Sequence, residues 1–78
     1  MEEEVLKIDS DYLTLGQLLK YVDIIASGGM AKWYLSEYMV YVNGESENRR
    51  GKKLYPGDLI EFPHENRIIR IYGLSDSD

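Results

Sequence analysis

Val40-Tyr41-Val42-Asn43-Gly44-Glu45, then Arg49-Arg50-Gly51-Lys52-Lys53, then Tyr55-Pro56-Gly57-Asp58: this order of residues decides how the chain folds. Val40-Tyr41-Val42 alternates like a strand, and Asn43-Gly44 supplies two residues that tolerate the left-handed backbone of a tight hairpin. The chain returns through residues 45–48 to the basic run. Tyr55-Pro56-Gly57-Asp58 is a second turn, with proline and glycine at its central positions. Leu59–Phe62 reads as a strand ended by Pro63, and the isoleucine-rich residues 67–72 as a last one. Toward the N-terminus, Thr14 opens a helix, and Gln17 three residues on completes a capping box. Leu15, Leu18, Leu19, Val22 and Ile25 follow at helical spacing and make one apolar face. Ser27-Gly28-Gly29 interrupts that pattern as a turn and the N-cap of a second helix reaching about Tyr38, with Ala31, Tyr34, Leu35 and Tyr38 along one side. Residues 5–8 are a short first strand. This order predicts an α+β fold, two packed helices against a small twisted antiparallel sheet.

The 78 residues form one domain, and a chain this short buries only about 60–65% of the surface its unfolded form exposes. It holds one core and has little room for a closed catalytic cavity. Hydrophobic residues at 44% and charged residues at 29% are ordinary globular values. Cysteine is absent, which excludes disulfides and thiolate metal sites. No apolar stretch is long enough for a signal peptide or a membrane span, so the expectation is a soluble, cytoplasmic protein with no membrane partner. Four segments follow: an N-terminal strand with an acidic end over 1–13, the central unit 14–62, a closing strand of the same domain over 63–74, and a disordered acidic tail over 75–78.

A net charge of −5 argues against nucleic acid until its distribution is considered. Residues 1–13 carry five carboxylates against Lys7, whereas 14–62 balances six basic against six acidic side chains. Within that neutral segment Arg49, Arg50, Lys52 and Lys53 crowd into five consecutive positions. Local field governs binding more than total charge does, and a merely solvated hairpin usually mixes signs. The turn is therefore a candidate polyanion site.

Catalytic constellations are scarce. His64 is the only histidine and sits in a Pro-His-Glu-Asn loop with no identifiable nucleophile or orienting partner, the marks of an ordinary surface residue. The carboxylates show neither DxD nor HExxH spacing, and Ser27-Gly28-Gly29-Met30-Ala31-Lys32 lacks the spacing of a phosphate loop. The sequence thus predicts no enzyme, no cofactor, no metal and no small-molecule substrate. Ser27, Gly28 and Gly29 have two readings. Their backbone N–H groups can hold an anion with Lys32 one turn further on, or they form a plain corner between helices. Trp33 lies off the apolar face of the second helix. It can stack on a base, or cover the sheet, or dock a protein. Tyr34 and Tyr38 read as core; Tyr12, Tyr21, Tyr41 and Tyr55 have no assigned place.

Together, Leu18-Leu19-Lys20, Ser27-Gly28-Gly29-Met30-Ala31-Lys32, Val40-Tyr41-Val42-Asn43-Gly44-Glu45, Arg49-Arg50-Gly51-Lys52-Lys53-Leu54 and Gly57-Asp58 resemble the S4-like RNA-binding domain, named after a ribosomal protein of the small subunit. The chain is similar in particular to short stand-alone bacterial members of the YaaA and YbcJ type. The resemblance covers about residues 14–62. It implies an RNA surface on the second helix and the following turn, with contacts from Ser27, Gly28, Lys32, Arg49, Arg50, Lys52 and Lys53, to which the residue reading adds Gly29 and Trp33. Ala31, Leu35, Val40 and Val42 would be core. The chain departs from the family at Gly28 and Trp33, where many members carry basic residues, and at Tyr38, where many carry glycine. Those departures shift weight from the helix to the turn. The implied function is recognition of structured RNA, ribosomal RNA above all, through phosphates and shape, in ribosome assembly. The alternative is a protein-interaction adaptor using Trp33 and exposed tyrosines.

Overall fold

Asn43 and Gly44 take φ values of 53° and 85°, the two left-handed residues that a type I′ hairpin turn needs. Here the computed structural model, which describes residues 3–74, folds strand β3 (Tyr41–Val42) back on β4 (Glu45–Ser46) in antiparallel register. In chain order the preceding elements are β1 (Glu3–Ile8), β2 (Leu13–Thr14), α1 (Leu15–Tyr21) and α2 (Ala31–Glu37); the following ones are β5 (Lys53–Leu54), β6 (Leu59–Phe62) and β7 (Arg67–Gly73). Asn43 also braces the hairpin from outside. Its backbone N–H donates to the Leu59 carbonyl at 2.8 Å, and its side chain accepts from the Leu59 N–H at 3.0 Å.

The main sheet runs β1-β7-β6-β3-β4. Every pairing in it is antiparallel except β1 with β7, which is parallel in a register that sets Leu6 beside Ile71. The expectation of an antiparallel sheet is corrected to a mixed one. A parallel neighbour needs a long crossover, and here everything between the two strands provides it. Alternation along β6 and β7 sends Ile60, Phe62, Ile69 and Ile71 inward, where Leu15, Leu18 and Leu19 of α1 and Ala31, Tyr34 and Leu35 of α2 meet them. Ala31, Leu35, Val40 and Val42 are all in this core.

Thr14 caps α1 as the spacing predicts: its hydroxyl accepts from the Gln17 N–H at 3.2 Å, and the Gln17 side-chain Oε1 accepts from the Thr14 N–H at 2.8 Å. The helix stops earlier than its apolar pattern. Asp23 turns left-handed at φ 61°, and the N–H groups of Ile24 and Ile25 both reach back to the Leu19 carbonyl. Val22 and Ile25 still pack on the core, but from the helix end and from a loop. Ser27 is also not the cap of α2. Gly28–Met30 form a 3₁₀ turn whose i→i+3 bonds occupy the Met30 and Ala31 N–H groups, so no side-chain cap is made and the α-helix begins at Ala31. Tyr38 is half-buried, its ring 4.9 Å from that of Tyr34. The acidic tail over 75–78 lies outside the described residues.

Candidate nucleic-acid interface

The first N–H groups of a helix have no partner within it. In α1 the basic turn supplies two: the Leu15 N–H donates to the Lys52 carbonyl and the Gly16 N–H to the Arg50 carbonyl, each at 2.9 Å. The turn is closed on itself by the Lys52 N–H to the Arg49 carbonyl at 3.1 Å. From there β5 pairs with β2, Leu13 opposite Leu54 and Thr14 opposite Lys53. A loop rich in like charges is thus pinned by its backbone.

Gly16 permits this seating. A Cβ there would lie 3.3 Å from the Arg50 carbonyl oxygen and 3.5 Å from the Ala31 Cβ. The turn, α1 and α2 meet at this one point, and they leave an open groove lined by Gly16, Gln17, Lys20, Gly28, Arg50 and Gly51. The two features that the sequence offers as candidates for phosphate binding, the glycine opening before α2 and the basic run, therefore both reach this groove, through Gly28 and through Arg50 and Gly51. Gly28 and Gly29 are exposed, and a Cβ at either would meet nothing within 4 Å. No contact among the described residues requires a glycine at either position.

The four cations of the run are not equivalent. Arg49 forks onto Glu47, with Nε to Oε2 at 3.0 Å and Nη2 to Oε1 at 3.1 Å, and its N–H donates to the same carboxylate. Those bonds hold the Glu47 carboxyl down at about 2. The Lys53 ammonium stands 4.9 Å from the centre of the Tyr12 ring. Arg50 and Lys52, with Lys20 and Lys32, make no ion pair among the described residues.

Trp33 is placed elsewhere. It lies roughly 200° around α2 from Ala31, and it meets Tyr38 edge-on at 6.1 Å while Tyr38 stacks on His64 at 3.7 Å. Gly28 and Arg50 thus share the α1–turn groove, Lys52 and Lys53 line a separate concavity with Glu47 and Tyr55, and Trp33 belongs to an aromatic group with Tyr38 and His64. Sequence reasoning missed Gly16 and Lys20 as site residues. A glycine inside an otherwise helical pattern was the available signal.

Residues 6–71 match the family profile of the S4 domain. The chain belongs to the S4 domain family. It is also 61% identical over 57 residues to a protein of Bacillus subtilis (strain 168) named "Probable ribosome maturation protein RlbA", an alignment covering 73% of this chain and 80% of that protein. The S4 match takes in the parallel β1–β7 pair as well as the helices and the basic turn, so the α+β architecture expected from the resemblance is the fold of this chain. No helix among the described residues is long and apolar enough to cross a membrane.

Proposed function

We propose that this S4 domain binds structured RNA through backbone phosphates and helix shape, and that the RNA is ribosomal RNA in a particle undergoing maturation. One observation carries the reading. Backbone bonds from α1 fix the basic turn so that Arg50 lies across a groove from Lys20 and the exposed Gly28. RNA duplexes present a shallow minor groove and two lines of phosphate, which suits a rigid, positively charged edge more than a deep pocket. The name of the Bacillus relative supports a role in ribosome maturation. The protein acts without catalysis, in the cytoplasm, and the interface lies within residues 14–62: Lys20, Gly28 and Arg50 at the groove, Ser27, Gly29 and Lys32 from the opening of α2, and Lys52 from the turn. Arg49 and Lys53 contribute at the ends of the turn.

The test is a gel shift with a ribosomal RNA fragment containing helical junctions, using wild type and the Arg50→Glu/Lys52→Glu variant, with melting curves on both. The variant should keep its fold and lose RNA binding. Unchanged affinity in a folded variant would remove the reading.

A specific observation favours a second reading, a protein-docking adaptor. Trp33 is 52% exposed and is held edge-on by Tyr38. An apolar site of that kind should respond little to salt, whereas phosphate binding should weaken steeply.

A further inference from the structure

We propose that Tyr12 and Tyr55, with Lys53, form a stacking site for an unpaired nucleobase of the RNA that the basic turn holds by its phosphates. The inference rests on the RNA-binding reading and adds a single-stranded element to it.

The two-residue ladder β2–β5 sets the geometry. Leu13 and Leu54 face each other and point into the core, at 3% and 0% exposure. Side chains alternate along a strand, so their neighbours Tyr12, Tyr55 and Lys53 project outward. One step beyond the Leu13–Leu54 pair the two tyrosines are opposite each other, with ring centres 6.0 Å apart and planes tilted by 50°. They stay 40% and 47% exposed, although the chain has a complete apolar core that takes neither ring.

Both tyrosines are held by their backbone. The Tyr55 N–H donates to Asp58 Oδ2 at 2.8 Å, and the Asp58 N–H donates to the Tyr55 carbonyl at 3.0 Å. The Ser10 hydroxyl donates to the Tyr12 carbonyl at 2.9 Å. A platform fixed in this way loses little conformational freedom when a base lies on it.

Charge decides what such a platform takes. Lys53, next to Lys52 of the turn, has its ammonium above the Tyr12 ring. Past Tyr12 the positive charge thins: Asp9 and Asp11 share its concavity with the single cation Lys7, and beside Tyr55 the Asp58 carboxylate is taken up by the Asn43 side chain and the Tyr55 N–H. A phosphate chain is attracted most strongly as far as Lys53 and less past it. The group that can continue onto the rings is the uncharged, flat base attached to the last phosphate. Stacking on aromatic side chains is indifferent to base identity and is strong enough to read as roughly a tenfold change in affinity per base.

The full chain is titrated with three versions of one RNA hairpin: blunt, with short single-stranded extensions, and with extensions of equal length lacking bases. The abasic extension keeps every phosphate. Wild type should bind the base-bearing form roughly tenfold more tightly than the abasic one. Tyr12→Leu/Tyr55→Leu should bind those two forms alike while still binding the blunt hairpin. Equal affinity of wild type for base-bearing and abasic forms overturns the stacking site without touching the phosphate reading, and that comparison needs no variant. Persistence of the preference in the folded double variant overturns it as well. If wild type binds none of the hairpins, both readings fall.

Discussion

Arg67 and Arg50 carry the same charge, yet one is spent inside the molecule and the other is not. In β7, Arg67 donates Nε and Nη2 to the Glu4 carboxylate at 2.7 and 2.6 Å, and Nη1 to the Val22 carbonyl at 2.7 Å. It ties β1 to β7 and to the end of α1, and it holds the Glu4 carboxyl below the usual carboxylate range. Arg70 does the same more loosely, reaching Glu3 and the Gly57 carbonyl at 3.2 Å each. In the turn the order is reversed: the protein grips the backbone carbonyls of Arg50 and Lys52 and leaves both side chains without an ion pair among the described residues. A cation whose donors are filled internally is a structural tie. A cation whose backbone is fixed while its head is left to solvent is a preorganised contact for an anion. Arg49, forked onto Glu47 yet mostly exposed, stands between the two.

Reversing the two free cations should give the largest effect. Arg50→Glu/Lys52→Glu is expected to lower RNA affinity by about a hundredfold at low salt, by losing two phosphate contacts and adding repulsion, with the melting temperature nearly unchanged. Gel shift and thermal melting on the same sample check it. The complementary change, Arg67→Ala, should do the opposite. It leaves the Val22 carbonyl and Glu4 without their partner, at a cost of roughly 1–3 kcal/mol in a denaturant titration, while folded protein binds RNA as before. If Arg67→Ala weakens RNA binding as much as the reversal does, the division between the two regions fails.

A subtler break leaves every charge in place. Gly16→Leu should favour the helix by propensity, but its side chain must displace the Arg50 carbonyl or Ala31. RNA affinity is expected to fall several-fold, on the order of 1 kcal/mol, because the turn moves relative to the groove. The same affinity as wild type would mean that the seating of the turn does not matter. The smallest effect concerns Glu47. Its folded carboxyl titrates at about 2 against an ordinary 4.5, chiefly because Arg49 bonds its charged form. A depressed value of this kind stabilises the fold above about pH 4.5, and that contribution is lost as pH falls toward 2. Glu47→Gln should remove this part of the acid dependence of the melting temperature, and should slightly strengthen RNA binding at neutral pH by releasing Arg49.

Much of the fold was legible because its signals are local. The Asn43-Gly44 hairpin, the Thr14–Gln17 capping box and the strand Leu59–Phe62 each follow from a few adjacent residues, and all three are found where the pattern places them. The parallel pairing of β1 with β7 was not legible, since it joins residues more than sixty positions apart and no turn records it. The end of α1 was hidden for another reason. Ile25 is buried and Val22 partly buried, on the side the helical period demands, but Val22 already ends the helix and the left-handed Asp23 delivers Ile25 from a loop. In the interface, sequence gives the density of charge in the turn but not which charges are already paired. That Arg49 is held by Glu47, or that Lys53 rests on Tyr12, depends on how the chain closes. Gly16 left a signal as a glycine within a helical pattern, but its role, like that of Lys20, depends on α1 receiving the turn.

The salt dependence of RNA binding tests the central claim most directly: unpaired cations on a fixed turn and groove hold the phosphates. Affinity would be measured from about 50 to 200 mM salt for wild type, Arg50→Gln/Lys52→Gln and Arg67→Gln. With Lys20, Lys32, Arg50 and Lys52 as the main contacts, and Arg49 and Lys53 adding little because Glu47 and Tyr12 already engage them, log K should fall against log salt with a slope of about −3, from roughly −0.7 to −0.9 per phosphate. The turn variant should lose about half of that slope, and Arg67→Gln none of it. A flat response in wild type, or a slope that survives removal of both turn cations, would contradict the account.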